Sequence, residues 1–523
     1  MDTKIFWGFI SNKWFLLVIN MFFFIAAAFY LPIRYEENDD VTMSWIASGF
    51  ITGKPEYHLV FINAIYGYAL MLFYMLNIGI EWYAVFFAII HVFSVTAIEW
   101  VLLEKIEVNK YLKLFFILLL YVIWLSLILL FQFTTTSCLA AFAALILIYY
   151  NRNIEGLVFF IIASMLRFHA AMLVGLLMSP FFIALYGVKL RKYVILIIVL
   201  TCSLGVRYAD TLFYEDEWIE YKVYNDLRGR INDNPNADKI LSLPEGISWN
   251  DYELLVSFMG DPNIVDIDDL KNILLSIDNI SVCEKISNIK YSMRHKYIVV
   301  SIILIIIILF VLGNKNNVWF VIGYSLFWFA VFAYVSMSGI LKFRVFICFL
   351  LPFLFLLILE SNSLSINNKK IRVLLSCGMI FVFTSFWLVR TNNIRVASKE
   401  DRSLSMKNYA IVSQSIDDYM YVVPSGGLVI QHINPFVIDK CCFRGRIRGL
   451  GWLTKIPFNK GILESHKDLV DNDICLIVRE DFDFEKLQTA IYENYNINTK
   501  IDTICMAENC LAVKLRENKI PIE

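Results

Sequence analysis

Arg34-Tyr-Glu-Glu-Asn-Asp-Asp40 follows directly on the first apolar segment of a chain built mostly of such segments. Its four carboxylates, Glu36, Glu37, Asp39 and Asp40, repel one another and hydrate strongly, so the stretch cannot lie in hydrocarbon. It belongs in water or in a water-filled cavity at a membrane surface. A solvated acidic loop that merely stops a helix is the plainer explanation of a charge run. The setting argues for more. Val41-Thr-Met-Ser-Trp-Ile-Ala-Ser-Gly49 can form about two helical turns with Met43, Ile46 and Ala47 on one side, the pattern of a helix lying along an interface. A loop anchored at both ends holds its carboxylates still.

Outward from this stretch, apolar runs judged against ~20 residues per crossing recur at 15–32, 58–76, 83–103, 112–131, 135–150, 154–187, 193–212, 297–313, 318–336, 344–360 and 372–389. The run 154–187 exceeds one simple crossing. Arg167-Phe-His169 interrupts it and Pro180 can kink it, which suggests one crossing plus a short re-entrant or broken piece. Residues 15–32 are followed by Arg34 and acids rather than by a small-residue cleavage site, so this run is expected to stay as the first span. With Lys4 and Lys13 keeping the N-terminus inside, eleven crossings put the acidic stretch and the C-terminal tail outside. Lys189, Arg191, Lys192, Lys315, Lys369, Lys370 and Arg372 then fall inside, as the charge rule asks. The stretch 104–113, with Lys105, Lys110 and Lys113, falls outside, against it.

The expected fold is therefore an α-helical polytopic membrane protein of about eleven spans over residues 1–390. It carries an acidic outer loop at 33–57, a large outer loop at 213–296 and a C-terminal outer α/β domain at 391–523. In the large loop, Trp218, Tyr221 and Tyr224 mark an amphipathic opening before Asn225-Asp-Leu-Arg-Gly-Arg-Ile-Asn-Asp233. The tail predicts helices near 402–420 and 484–495 and strands near 428–433, 474–479, 500–505 and 511–515. Composition agrees: 59% of the 523 residues are hydrophobic, 16% aromatic and only 18% charged, which excludes an ordinary soluble domain. A net charge of -1 without a basic stripe argues against a nucleic-acid partner. The ten cysteines show no paired zinc-site spacing. Cys505 and Cys510 flank a short turn and could be bridged in an oxidising compartment, and Cys441 and Cys442 are adjacent. No internal repeat supports a transporter of duplicated halves.

An acidic loop above a membrane bundle suits a reaction between a lipid-linked donor at the bilayer surface and an acceptor arriving from water. A carboxylate can deprotonate the acceptor hydroxyl or coordinate a divalent cation, while arginines offset charge on a leaving phosphate. That is sugar transfer from a polyprenyl phosphate. With Glu37-Asn-Asp-Asp40 directly after its first span and an outer α/β tail, the chain resembles the GT-C superfamily of membrane glycosyltransferases. Within it, the layout is similar to bacterial or phage O-antigen-modifying enzymes that take a sugar from undecaprenyl phosphate. The resemblance implies a catalytic carboxylate at Asp39 or Asp40, with Glu37 beside them; Asp40 is preferred because it abuts the helix that follows. It also implies a further acid in a later outer loop, with Asp210, Glu215, Asp216 and Glu217 all open. Superfamily members with monophosphate-linked donors can work without a metal and those with pyrophosphate-linked donors commonly need one, so a divalent cation such as magnesium or manganese stays open.

Candidates for donor and acceptor binding come from the residues. Arg167 within an apolar run is costly, on the order of 2.5–3.5 kcal/mol even on lenient scales, and so either faces a cavity as a phosphate ligand or snorkels from a helix end. His169 lies beside it. Arg207, Lys342 and Arg344 sit at outer span ends and can grip phosphate oxygens; together they would make a positive rim. His58 stands where an outer-face residue could reach an acceptor. Asn63, Tyr66, Asn225, Arg228 and Arg230 are weaker candidates, and in the tail Arg444, Arg446 and Arg448 alternate before Trp452, which could stack on a sugar.

The expected activity is transfer of a hexose such as glucose, with inversion, from a polyprenyl-phosphate carrier to a surface polysaccharide such as the O-antigen of lipopolysaccharide. The implied partners are that lipid donor, a polysaccharide or lipid-linked acceptor, and the bilayer. The implied location is the cytoplasmic (inner) membrane of a bacterium, with the site on its periplasmic face. A polysaccharide polymerase is the alternative within enzymes and would want arginine-rich outer loops. A transporter or flippase would want paired charges buried mid-span, whereas most charge here is at span ends.

Overall fold

The computed structural model describes residues 11–518, apart from 78, 235, 241, 279–281, 294–295, 313–317, 339–340, 362–368, 416–419, 424–429 and 438–444. Every one of the eleven apolar runs contains a helix. In chain order the membrane part has α1 Lys13–Tyr30, β1 Arg34–Tyr35, α2 Asn38–Ala47, α3 Ala64–Leu76, α4 Trp82–Glu104, α5 Lys110–Leu129, β2 Leu130–Phe131, α6 Phe133–Tyr149, α7 Asn153–Tyr186 and α8 Val194–Thr211. After the large loop come α13 Lys296–Leu312, α14 Val318–Ser338, α15 Phe343–Ser361 and α16 Lys369–Ser415. Seven helices among the described residues are each long and apolar enough to cross a bilayer.

Two runs behave differently from expectation, and the differences cancel. Within α7, Arg167 leaves the helical region (φ -155, ψ 92). The helix does not merely kink there; it folds back. A Cβ on Gly175 would lie 3.6 Å from the Phe160 ring, whereas a continuous helix would hold residues fifteen apart roughly 22 Å from each other at ~1.5 Å rise per residue. Phe182 likewise returns to Tyr149, ring centroids 5.8 Å apart. The run 154–187 is thus two antiparallel limbs with Arg167 at their apex. The run 58–76, in contrast, does not pass through the bundle. The α3 start is held where Ala64 N–H donates to Asp210 (2.7 Å). Its far end stays at the same level, since Tyr74 OH donates to Glu81 (2.8 Å) and accepts from Tyr83 N–H (3.1 Å), and Tyr83 OH reaches Asp40 (2.9 Å).

Among the described residues, helices and helix limbs running through the bundle again number eleven, with one run subtracted and one doubled. Their directions between 77 and 166 invert. Glu104–Lys113 now lies at the end opposite the acidic stretch, with Lys189, Arg191 and Lys192, and the conflict with the charge rule disappears. The interfacial helix is also a different one from that expected. Every residue of α2 from Asp40 to Ala47 is buried, while α3 exposes Tyr68, Leu72, Phe73, Met75 and Leu76.

The large loop is helical: α9 Asp216–Asn232, α10 Trp249–Val256, α11 Ile267–Asp278 and α12 Val282–Ser292. Trp218, Tyr221 and Tyr224 form the buried side of α9, as their spacing predicts. The C-terminal α/β domain carries a five-stranded sheet of β3 Met420–Val423, β4 Ile447–Gly449, β5 Ile474–Arg479, β6 Thr499–Ala507 and β7 Cys510–Glu517, in the order β4-β3-β5-β7-β6, with α17 Phe484–Tyr495 against it. Strand β5 and helix α17 have the expected bounds. Of the strand expected at 428–433, only 430–433 is described, and it holds a 3-10 turn, Ile430–His432, in place of a strand. The helix expected near 402–420 is the end of α16, which runs unbroken out of the bundle. Cys505 and Cys510 are free thiols, because the hairpin register pairs Cys510 with Ala507 and Cys505 with Ala512. Cys441, Cys442 and Arg444 lie outside the described residues.

The domain sits on the acidic end of the bundle. Gly445 N–H donates to Phe50 O (2.6 Å), Arg448 Nη1 to Ile51 O (3.0 Å), and Tyr221 OH to Trp452 O (2.7 Å).

Candidate active site

The acidic stretch is pinned before it turns. Arg34 and Tyr35 pair in parallel with Leu130 and Phe131, and Glu36 N–H donates to Phe131 O (3.1 Å). Helix α2 begins immediately afterwards, so Asp39 and Asp40 occupy its first turn and point about 100° apart. That divergence separates their fates. Asp40 is fully buried. Its Oδ1 accepts from Tyr83 OH (2.9 Å) and from Phe133 N–H at the start of α6 (3.0 Å), where a helix N-terminus favours an acceptor. Burial pushes its carboxyl well above the usual aspartate range. Asp40 is directed into the protein.

Asp39 opens instead onto a cavity of about 840 Å³. It makes no hydrogen bond or ion pair among the described residues. Burial raises its carboxyl above the ordinary value, opposed chiefly by the cation of Arg344. Glu37 shares the wall and pairs with Arg344 (2.9 Å). Glu36 stands behind, pushed up to about 7 by burial despite Arg344, with Oε2 lacking a partner.

The cavity gathers most of the cations named from the sequence. Arg167, His169, Arg207, Lys342 and Arg344 all line it. Arg167 is placed there by the fold-back of α7, its guanidinium carbon 5.5 Å from the Phe133 ring and 5.8 Å from the Phe61 ring. Arg207, one turn from the end of α8, lies over Phe168 (5.0 Å). Neither has an ion-pair partner among the described residues. Lys342 is paired with Asp233 (3.3 Å). His169 is exposed to the cavity. Of the four later acids left open, Asp210 is the one on the wall, where it holds Lys222 (3.2 Å). His58 lies elsewhere: it is buried, stacks on Trp218 (centroids 4.2 Å apart), and bridges Glu56 (2.8 Å) and Phe213 O (3.0 Å). Those bonds are a packing role for His58.

The opposite wall is α9. Lys222, Asn225, Asp226, Arg228, Gly229, Arg230 and Asp233 face the cavity at helical spacing, and Trp452 of the C-terminal domain completes it. Lys222, Asp226 and Asp233 were not singled out by sequence reasoning. The signal was the 3.6-residue period of polar residues, which a solvated helix face would show equally. No three His, Cys, Asp or Glu side chains converge as a metal cluster among the described residues; of the five wall carboxylates, Glu37, Asp210 and Asp233 are paired with cations, while Asp39 and Asp226 are not.

Compared with known proteins, the chain matches no family model and no curated protein. Among solved structures it is similar to the crystal structure of ArnT from Cupriavidus metallidurans bound to undecaprenyl phosphate, at 13% identity and a TM-score of 0.39, covering 95% of this chain and 97% of that one.

Proposed function

We propose that this cavity transfers a sugar from a polyprenyl-phosphate carrier to a glycan acceptor, in the manner of a GT-C glycosyltransferase. One observation carries the reading: a carboxylate without a bonded partner, Asp39, shares a cavity at the end of a membrane bundle with two unpaired arginines, Arg167 and Arg207. Arg167 stands at the apex of a fold-back between membrane helices and on the cavity wall. A desolvated guanidinium there requires an anion.

The chemistry follows in one displacement. Asp39 accepts the proton of the acceptor hydroxyl. The acceptor oxygen bonds to the anomeric carbon as the bond from that carbon to the phosphate oxygen breaks, with inversion. The electron pair leaves with the phosphate, whose added charge Arg167 and Arg207 offset. Lysines and arginines at the far end of the bundle, Lys13, Lys105, Lys110, Lys113, Arg152, Lys189, Arg191 and Lys192, support a cytoplasmic side for that end. The cavity then opens on the outer face of the cytoplasmic membrane, where O-antigen or a similar polysaccharide is the acceptor and a hexose such as glucose the cargo.

A polysaccharide polymerase, which joins lipid-linked repeat units on the same face, is the second reading, and the arginine content of the cavity favours it. The purified protein in nanodiscs, given radiolabelled hexosyl undecaprenyl phosphate and surface polysaccharide, should add single residues. Lipid-linked repeat units supplied as donor instead should give no product; ladders from them would identify a polymerase, and no transfer from either donor would remove both readings.

A further inference from the structure

Arg228 is 6% exposed and lies on the α9 wall of the cavity. Burial lowers the tendency of its guanidinium to stay charged, countered by Tyr221 and Tyr224 and, among carboxylates, by Asp233 and Asp39. Neither is within ion-pair distance, and Asp233 is engaged by Lys342. The groups that do hold Arg228 are neutral amides. Asn225 Oδ1 accepts from Nε (3.3 Å) and Nη2 (2.9 Å), and Asn232 Oδ1 accepts from Nη1 (2.9 Å). The two asparagines sit three residues before and four residues after Arg228, on the same face of α9. Asn232 is fixed in turn, its Nδ2 donating to Leu255 O (3.0 Å) and Val256 O (2.9 Å).

A guanidinium has five N–H groups. Three are spent on the two amides, which leaves one on Nη1 and one on Nη2, the pair that grips two oxygens of an oxyanion. Aspartates at 225 and 232 would have neutralised the charge; asparagines orient it and leave it available. An oriented, buried, uncompensated arginine is an anion-binding group. Its ring neighbour is Phe258 (5.6 Å), and Phe61 and Trp452, 4.9 Å apart, lie on the same cavity. Flat apolar faces beside polar side chains suit a sugar ring.

Asp39 interacts electrostatically with Arg167 and also with Arg228. On the proposed function, on which this inference rests, Arg167 and Arg207 take the donor phosphate. We infer that Arg228, held by Asn225 and Asn232, is a second anion subsite that recognises an acidic group on the acceptor glycan, a carboxylate or a phosphate. The acceptor is thus an acidic saccharide.

The test uses thermal shifts of the full-length protein in detergent with undecaprenyl phosphate, methyl glucuronide, glucose 6-phosphate and methyl glucoside. Wild type should be stabilised by undecaprenyl phosphate and, additively, by an acidic sugar, with methyl glucoside inert; which acidic sugar acts tells carboxylate from phosphate. Arg228→Gln should weaken the acidic-sugar response about tenfold or more, as expected for charge-assisted bonds, and keep the response to undecaprenyl phosphate within about twofold. That retained response also shows the variant folded, and Arg228→Lys should fall between. Competition between undecaprenyl phosphate and the acidic sugar, loss of the lipid response in Arg228→Gln, or wild type blind to both acidic sugars would each overturn the inference. Failure of undecaprenyl phosphate itself to stabilise wild type would instead strike the donor reading.

Discussion

The guanidinium of Arg344 and the carboxylate of Glu37 meet at 2.9 Å, two residues before Asp39 in the chain. This ion pair ties the start of α15 to the acidic stretch and sets the electrostatics of the free carboxylate. Arg344 opposes the upward shift that burial imposes on Asp39, and Glu37 adds to that shift. A base works only when ionised, so transfer should rise with pH along an acidic limb that lies above the ordinary aspartate value of 3.8. Arg344→Gln removes the opposing cation and leaves Glu37 uncompensated. Both changes raise the Asp39 value, so the limb should move to higher pH in a kcat/KM profile. An unmoved limb would separate Asp39 from the observed titration.

Glu36 supplies a stability prediction with a definite sign. Its folded-state value is pushed up from 4.5 to about 7. The folded protein therefore binds more protons than the unfolded chain between these values, and stability falls as pH rises through that window. Glu36→Gln removes the desolvated carboxylate and should stabilise the protein by roughly 1–3 kcal/mol at pH 8 and much less at pH 5. Thermal unfolding at the two pH values checks it. An equal effect at both would show that Glu36 does not titrate in this window.

Arg167 and Arg207 are assigned to the donor. Replacing either by Gln should raise KM for the lipid-linked sugar about ten- to a hundredfold, in line with the loss of a charge-assisted contact. The KM for the acceptor should stay nearly unchanged. A variant that lost acceptor affinity instead would exchange the roles of the two cavity walls.

Much of this was legible in the sequence. The apolar runs gave the helices, because burial in a bilayer leaves few alternatives to a continuous apolar segment. The carboxylate cluster and the interrupting Arg167 gave two sides of the cavity. What was not legible shares one cause. Whether Arg167 kinks a helix or reverses it depends on what the two limbs pack against, and Phe160 against Gly175 is a tertiary contact. The run 58–76 reads as a crossing from its apolar length alone; what keeps α3 at one level is its bonding to Asp210, 146 positions on, and to Glu81. The choice between Asp39 and Asp40 likewise turns on Tyr83 and Phe133, residues 43 and 93 positions beyond Asp40. Being next to the following helix favoured Asp40 on paper; its bonds to Tyr83 and Phe133, from two other helices, are what turn it away from the cavity. His58 illustrates the same limit, since its stacking partner Trp218 belongs to the distant loop helix.

The most direct measurement is the transfer rate of Asp39→Asn and Asp40→Asn, each purified in membrane form with its melting temperature recorded. Asparagine at 39 keeps the shape and removes the base, so its kcat should fall about 10²–10⁴-fold with melting unchanged. Asparagine at 40 still accepts from Tyr83 and Phe133, so its kcat should stay within about tenfold of wild type. The reverse order, with Asp39→Asn active and a well-folded Asp40→Asn inactive, would contradict the assignment of the cavity-facing carboxylate as the base.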